Sequence, residues 1–158
     1  MIRAILACDE EWGIGKDNTL PWPTNSEDLK WFRDNTVGSV VVMGRNTWES
    51  LPRKPLPKRN NVIVTSEARP TYGPYHFVRA EAYKETIRQM NALQAVWIIG
   101  GAQLIEESLD IIDEMWLTRI KGSFDCDVFL PEARITDLYD LSEVRIEGSL
   151  TIEIWKKK

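Results

Sequence analysis

Twice in this chain a run of apolar, mostly β-branched residues ends directly in glycine and the opening of a helix. Ser39–Met43 passes into Gly44-Arg-Asn-Thr-Trp, and the segment Ala-Val-Trp-Ile-Ile at 95–99 passes into Gly100-Gly-Ala-Gln-Leu. A short continuous apolar run suits a strand buried on both faces, and strands that alternate with helices pair in parallel. Ile2–Asp9 reads as a further buried strand, Asn61–Thr65 as one that ends at Ser66, and His76–Val78 as a short one. Helices are expected at Asn25–Asn35 and Glu81–Leu93, with Thr24 and Glu27 together, or Asn25 or Ser26 alone, capping the first. Between the first strand and that helix, Glu10–Thr24 is rich in Gly, Pro, Asn and Asp and reads as a long loop, a length usually tied to function.

From Glu114 the texture changes. Residues 114–121, about 139 to 147, and 150–157 alternate like strands with no helix between them. The expected fold is α/β, a single domain over residues 1–158. Its central, mostly parallel mixed sheet has about eight strands, with an antiparallel C-terminal edge and about four flanking helices. A chain of 158 residues is enough for one sizeable core, and 43% hydrophobic with 28% charged residues is the balance of a globular protein.

The charge balance excludes some partners. A net charge of −4 offers no broad attraction to nucleic acid or to an anionic membrane. Any anionic ligand must therefore be held by local cations and backbone N–H groups. Cys8 and Cys126 lack metal-site or redox spacing, and Cys8 reads as a core thiol. His76 is the only histidine and reads as a surface or strand-edge residue, so no multi-histidine metal centre is available. No stretch approaches the roughly 20 apolar residues of a membrane span, and Met1–Trp12 lacks a signal-peptide pattern. A monomer in the reducing cytoplasm, taking a small-molecule substrate, is the expectation.

Ligands of open α/β sheets lie outside the carboxyl ends of the strands, and three turns bring suitable chemistry there. Gly44, Arg45, Asn46 and Thr47 combine a close backbone approach, helix-start N–H groups and a cation. Gly100, Gly101, Ala102 and Gln103 form a glycine-rich helix start after Ile99. Thr65 and Ser66 supply hydroxyls. Together they favour a dinucleotide, and an arginine with hydroxyls suits the 2′-phosphate of NADP better than a free ribose hydroxyl. Asp28 shares a helix face with Phe32, and a carboxylate in apolar company either has a task or sits there as a first-turn acid. Spacing leaves those two readings of Asp28 open.

The runs Trp12–Trp22, Asp28–Phe32, Met43–Ser50, Pro55–Asn61, Ile98–Gly101, Leu117–Thr118 and Asp127–Pro131 together resemble dihydrofolate reductase, in that family's order and spacing. The resemblance implies its fold and its reaction: hydride from NADPH to C6 of dihydrofolate with a proton at N5, giving tetrahydrofolate for one-carbon metabolism. It matches Asp28, Trp22 and Thr118 to the catalytic group. Ile5, Leu29, Phe32 and Leu51 match apolar walls around the substrate, and Arg59 matches the clamp on the glutamate-tail carboxylate. Ala7 and Ile14 match nicotinamide contacts, with Gly15 and Asn18 beside them in a closing loop. Gly44 to Thr47 with Thr65 and Ser66, and Ile99 to Gln103 with Leu104, match the phosphate turns, and the Gly100–Gly101 bond is expected to be cis. Antifolates are implied ligands of the same pocket.

Departures from the family pattern are also visible. Ile105 stands where many members carry a tyrosine near the nicotinamide, Ala102 replaces a frequent third glycine, and Gln103 stands where arginine is common. One extra residue within Pro23–Glu27 leaves Glu27 as the alternative acid. A pyrimidine reductase of riboflavin synthesis on the same fold, or a ligand-binding protein without turnover, are the competing readings.

Overall fold

The computed structural model describes residues 1–17, 19–23, 25–67 and 73–158. Ten strands and five helices follow in the order β1 (Ile2–Cys8), β2 (Gly13–Gly15), α1 (Ser26–Thr36), β3 (Val40–Gly44), α2 (Arg45–Ser50), β4 (Asn60–Thr65), β5 (Tyr75–Arg79), α3 (Tyr83–Asn91), β6 (Val96–Gly100), α4 (Ala102–Glu107), β7 (Glu114–Arg119), β8 (Val128–Phe129), α5 (Glu132–Leu138), β9 (Tyr139–Glu147) and β10 (Leu150–Lys157). Eight of the strands form one sheet in the order β5-β4-β3-β6-β1-β7-β10-β9. The pairs from β5 to β7 are parallel, and β10 runs antiparallel to both β7 and β9. The mixed sheet with its antiparallel C-terminal edge is as expected.

The central strands are apolar throughout because both faces are covered. Val40, Val41, Val42 and Met43 of β3 are all fully buried, as are Val62 and Ile63 of β4 and Ile98 of β6. Ile105, Leu109, Ile112 and Met115 join the larger of the clusters on either side, and Trp48 anchors a second one with Val41, Met43 and Ile63. Helix α1 begins where Asn25 caps it, its side-chain oxygen accepting from the N–H groups of Glu27 (2.9 Å) and Asp28 (3.2 Å). Of the caps considered, Asn25 is the one used; Thr24 lies outside the described residues.

Among the described residues there are five helices, in keeping with the about four expected, and α5 interrupts the C-terminal strands with Ile135 fully buried as its anchor. At seven residues it shows too little periodicity to stand out. The segment from Glu10 is not wholly loop, since β2 pairs antiparallel with β8 more than a hundred residues away. A three-residue strand with glycine at both ends carries no alternation to reveal such a partner.

Candidate active site at the carboxyl edge of the sheet

Parallel register sets the site. Along one edge of the sheet, Arg79 of β5 lies beside Thr65 of β4, Met43 of β3 beside Gly100 of β6, and Ala7 of β1 beside Thr118 of β7. Helix α1 covers one face there: Trp31 stacks on Trp116 with ring centroids 6.1 Å apart. Trp116 pairs with Ile5 in the same register that pairs Thr118 with Ala7, so Ile5, Ala7 and Thr118 look toward α1.

On that helix Asp28 is half-buried and accepts a hydrogen bond from the hydroxyl of Thr118, itself 2% exposed. Burial pushes the Asp28 carboxyl above the ordinary carboxylate range, and the Thr118 bond opposes part of that rise. Glu27 points elsewhere. Its Oε2 accepts from the backbone N–H of Ser149 at 2.9 Å, in the β9–β10 turn, and a Cβ on Gly148 would collide with the same carboxylate. The structure therefore separates the two candidate acids: Asp28 faces the sheet edge, and Glu27 ties the helix to a hairpin.

The rest of the expected substrate set is gathered in part. Ile5 is 2% exposed, and Phe32 and Leu51 are half-buried. Arg59 is buried, its guanidinium carbon 5.8 Å from the Phe32 ring centroid. Its Nε donates to Pro57 O (2.9 Å) and its Nη1 to Thr36 Oγ1 (3.0 Å), which fixes the plane of the fork. Burial, and then the charge of Arg33, lower its pKa. Leu29, expected as an apolar wall, is 56% exposed on α1. Trp22 is 7% exposed and meets Phe124 edge-on at 5.8 Å. Together with Pro23, Asn25, Ser26 and Ile120 they line a cavity of about 420 Å³ beside the start of α1.

The two glycine turns are adjacent. A Cβ on Gly44 would lie 3.9 Å from Gly100 O and Gly101 N, and Cβ atoms on Gly100 and Gly101 would lie 3.9 and 3.6 Å from Thr47 Oγ1. The Gly100–Gly101 bond is cis, as expected, and Lys54–Pro55 is a second cis bond. The N-caps of α2 and α4, Gly44 and Gly101, supply no side-chain cap, so the first N–H groups of both helices remain to be satisfied from outside. Thr65 is buried, while Arg45, Asn46 and Ser66 are exposed. These donors fit a pyrophosphate and a further phosphate. Ile14 and Gly15 are half-buried in and beside β2, and Asn18 lies outside the described residues.

Leu104, in the first turn of α4, packs its side chain into the main core at 5% exposure. Ile105 beside it is fully buried, and Gln103 is exposed and donates to Glu107 at 3.2 Å. Residues not singled out from sequence also matter. Arg79 shares the edge with Thr65, and Glu67 pairs with Arg45. Nothing local marked them, since each acquires its neighbour through the sheet or through a distant loop.

A doubly covered sheet with paired glycine turns and a desolvated acid at the same edge suits a nicotinamide-dependent reductase. The family model for dihydrofolate reductase matches residues 1–147. The chain is 36% identical to the dihydrofolate reductase of Haemophilus influenzae over 119 residues, 75% of this chain and 71% of that protein. It is 30% identical to that of Mus musculus over 183 residues, covering 99% and 97%. Its fold matches the dihydrofolate reductase of Enterococcus faecalis complexed with NADP(H) and RAB-propyl at a TM-score of 0.83, with 26% identity and coverage of 100% and 96%. The chain belongs to the dihydrofolate reductase family, a family of NADPH-dependent oxidoreductases.

Proposed function

We propose that this chain reduces 7,8-dihydrofolate to tetrahydrofolate with NADPH, and that Asp28 is the residue that makes the pterin ready for hydride. The observation that carries the assignment of the acid is the pair of fates at the start of α1: Asp28 bonded to Thr118 at the sheet edge, Glu27 bonded to Ser149 away from it. Bound NADPH supplies the hydride. The chain's own residues do the remainder. Asp28 accepts the 2-amino and N3 hydrogens of the pterin and, being desolvated, favours a ring that carries an extra proton at N5. Thr118 fixes the carboxylate, and Trp22 closes the site on the side of the loop and orders water near N5. Arg59, already braced by Pro57 and Thr36, presents its remaining N–H donors to the tail carboxylate.

The cofactor lies along the glycine turns, with pyrophosphate near Gly44, Thr47 and Gly101, and the 2′-phosphate near Arg45 and Ser66. Ala7, Ile14 and Gly15 flank the nicotinamide. Antifolates compete for the pterin site. The unit is one domain, working as a monomer in the cytoplasm; the free thiols of Cys8 and Cys126 suit a reducing compartment, and no helix among the described residues is long and apolar enough to cross a membrane.

The test is the fall in absorbance at 340 nm when protein, NADPH and dihydrofolate are mixed. Turnover is expected to fall about 100-fold or more in Asp28→Asn, the usual size of a lost proton-transfer group. Glu27→Gln keeps an acceptor for Ser149 and should turn over like the parent. No turnover in the parent despite binding of both ligands would leave a binding protein, and loss in Glu27→Gln alone would move the acid back by one residue.

A further inference from the structure

Arg45, the cation placed at the 2′-phosphate, is not available to a phosphate without competition. Its Nη1 lies 3.5 Å from Glu67 Oε1 and its Nε lies 3.7 Å from Glu49 Oε1. Glu67 directly follows Thr65 and Ser66, and its N–H donates back to Thr65 Oγ1 at 3.2 Å, which holds this acid beside the end of β4. Arg79, the neighbouring cation on the same edge, is itself 3.8 Å from Glu81. At this corner the guanidinium groups of Arg45 and Arg79 lie against the carboxylates of Glu49, Glu67 and Glu81. Gln103 brings no cation from the other turn and donates to Glu107 instead.

We propose that Glu67 is a specificity-determining residue that narrows this enzyme's preference for NADPH over NADH, by holding Arg45 in competition with the 2′-phosphate. A 2′-phosphate carries nearly two negative charges, so to reach Arg45 it must displace the Glu67 carboxylate or share the guanidinium with it. Either way it meets a like charge at close range. NADH meets no such cost, because its 2′-hydroxyl can donate to the carboxylate, the arrangement by which acidic residues select a free ribose hydroxyl. One side chain thus penalises one cofactor and can hold the other. Glu49 is held on the next turn of α2, 3.7 Å from the Nε of Arg45, whereas Glu67 approaches Nη1 at 3.5 Å.

This rests on the placement of the 2′-phosphate at Arg45 and Ser66, so the experiment separates the two ideas. Dissociation constants are measured by quenching of tryptophan fluorescence at low ionic strength, for NADPH, NADH, 2′-phospho-ADP-ribose and ADP-ribose. The parent is compared with Glu67→Gln, Glu49→Gln and Arg45→Gln. Glu67→Gln is expected to bind NADPH and 2′-phospho-ADP-ribose about fivefold more tightly, the scale of an exposed charge pair, while NADH and ADP-ribose bind equally or more weakly. Glu49→Gln should change the ratio less. Tightening of both dinucleotides alike, no change, or an equal effect in Glu49→Gln overturns the role of Glu67. If Arg45→Gln keeps the full NADPH preference, the phosphate lies elsewhere and both ideas fall. If Arg45→Gln loses that preference while Glu67→Gln changes nothing, only the competition is wrong.

Discussion

Asp28 acts in opposite directions on stability and on chemistry. Its pKa in the fold is raised by burial above the value near 3.9 of an exposed aspartate. The fold therefore holds the proton more tightly than the unfolded chain does. The resulting stability is fully present below the unfolded pKa and is lost as pH rises through the folded one. At neutral pH the charged carboxylate weakens the fold, so Asp28→Asn should melt higher than the parent at pH 7 and level with it at about pH 3. Thermal unfolding across pH checks this, and a lower melting temperature at pH 7 would mean that the bond to Thr118 outweighs desolvation. Asp9 behaves in the opposite sense. It is fully buried, which pushes its carboxyl up, yet N–H groups of Gly13, Phe124 and Glu11 hold it below the usual range. Its stabilisation is present above the unfolded pKa and disappears as pH falls through the folded one. Acid unfolding should therefore begin where this loop is rooted.

At the scale of elements, the loop after β1 is anchored at its base more firmly than its glycine-rich composition implies. Asp9 Oδ1 accepts from Gly13 N (2.8 Å) and Glu11 N (2.9 Å), and Oδ2 accepts from Phe124 N (3.2 Å) and the Cys126 thiol (3.4 Å). The same carboxylate thus joins the segment leading to Trp22 with the segment whose Phe124 ring touches Trp22. Gly13 is required by contact rather than by its backbone angle: a Cβ there would fall 2.5 Å from both Cβ and Sγ of Cys126. Gly13→Ala should cost about 1–3 kcal/mol in urea unfolding, and Cys126→Gly in the same chain should recover most of it. Equal losses with and without that second change would show that the two positions do not meet. Cys8, one residue before Asp9, takes no part. Burial pushes its thiol up to about 12, which leaves it a packing group.

Across the whole molecule, what was legible in the sequence is what is local. The strand-glycine-helix passages near Gly44 and Gly100 announced parallel strands and the helices that follow them because each signal lies within ten residues. The pairing of β2 with β8 and the meeting of Arg45 with Glu67 depend on distant segments being brought together, and no spacing encodes them. That the Leu104 side chain joins the core was not legible, because a residue just inside a helix can face either way and only packing decides. The choice between Glu27 and Asp28 was open for a like reason. One residue along a helix turns the side chain by about 100°, and the β9–β10 hairpin that claims Glu27 lies over a hundred residues away.

The same register that aligns Thr118 with Ala7 sets Asp28 against the sheet edge where the glycine turns converge. The most direct probe of that arrangement is the single-turnover rate of hydride transfer to dihydrofolate, followed at 340 nm against pH in the parent and in Asp28→Asn. If Asp28 prepares N5 for protonation, the variant is slower by about 100-fold or more at pH 7, and the gap closes as pH falls and solvent protonates the pterin without help. A variant that keeps the parent rate at pH 7, or a deficit of constant size at every pH, would contradict this role for Asp28.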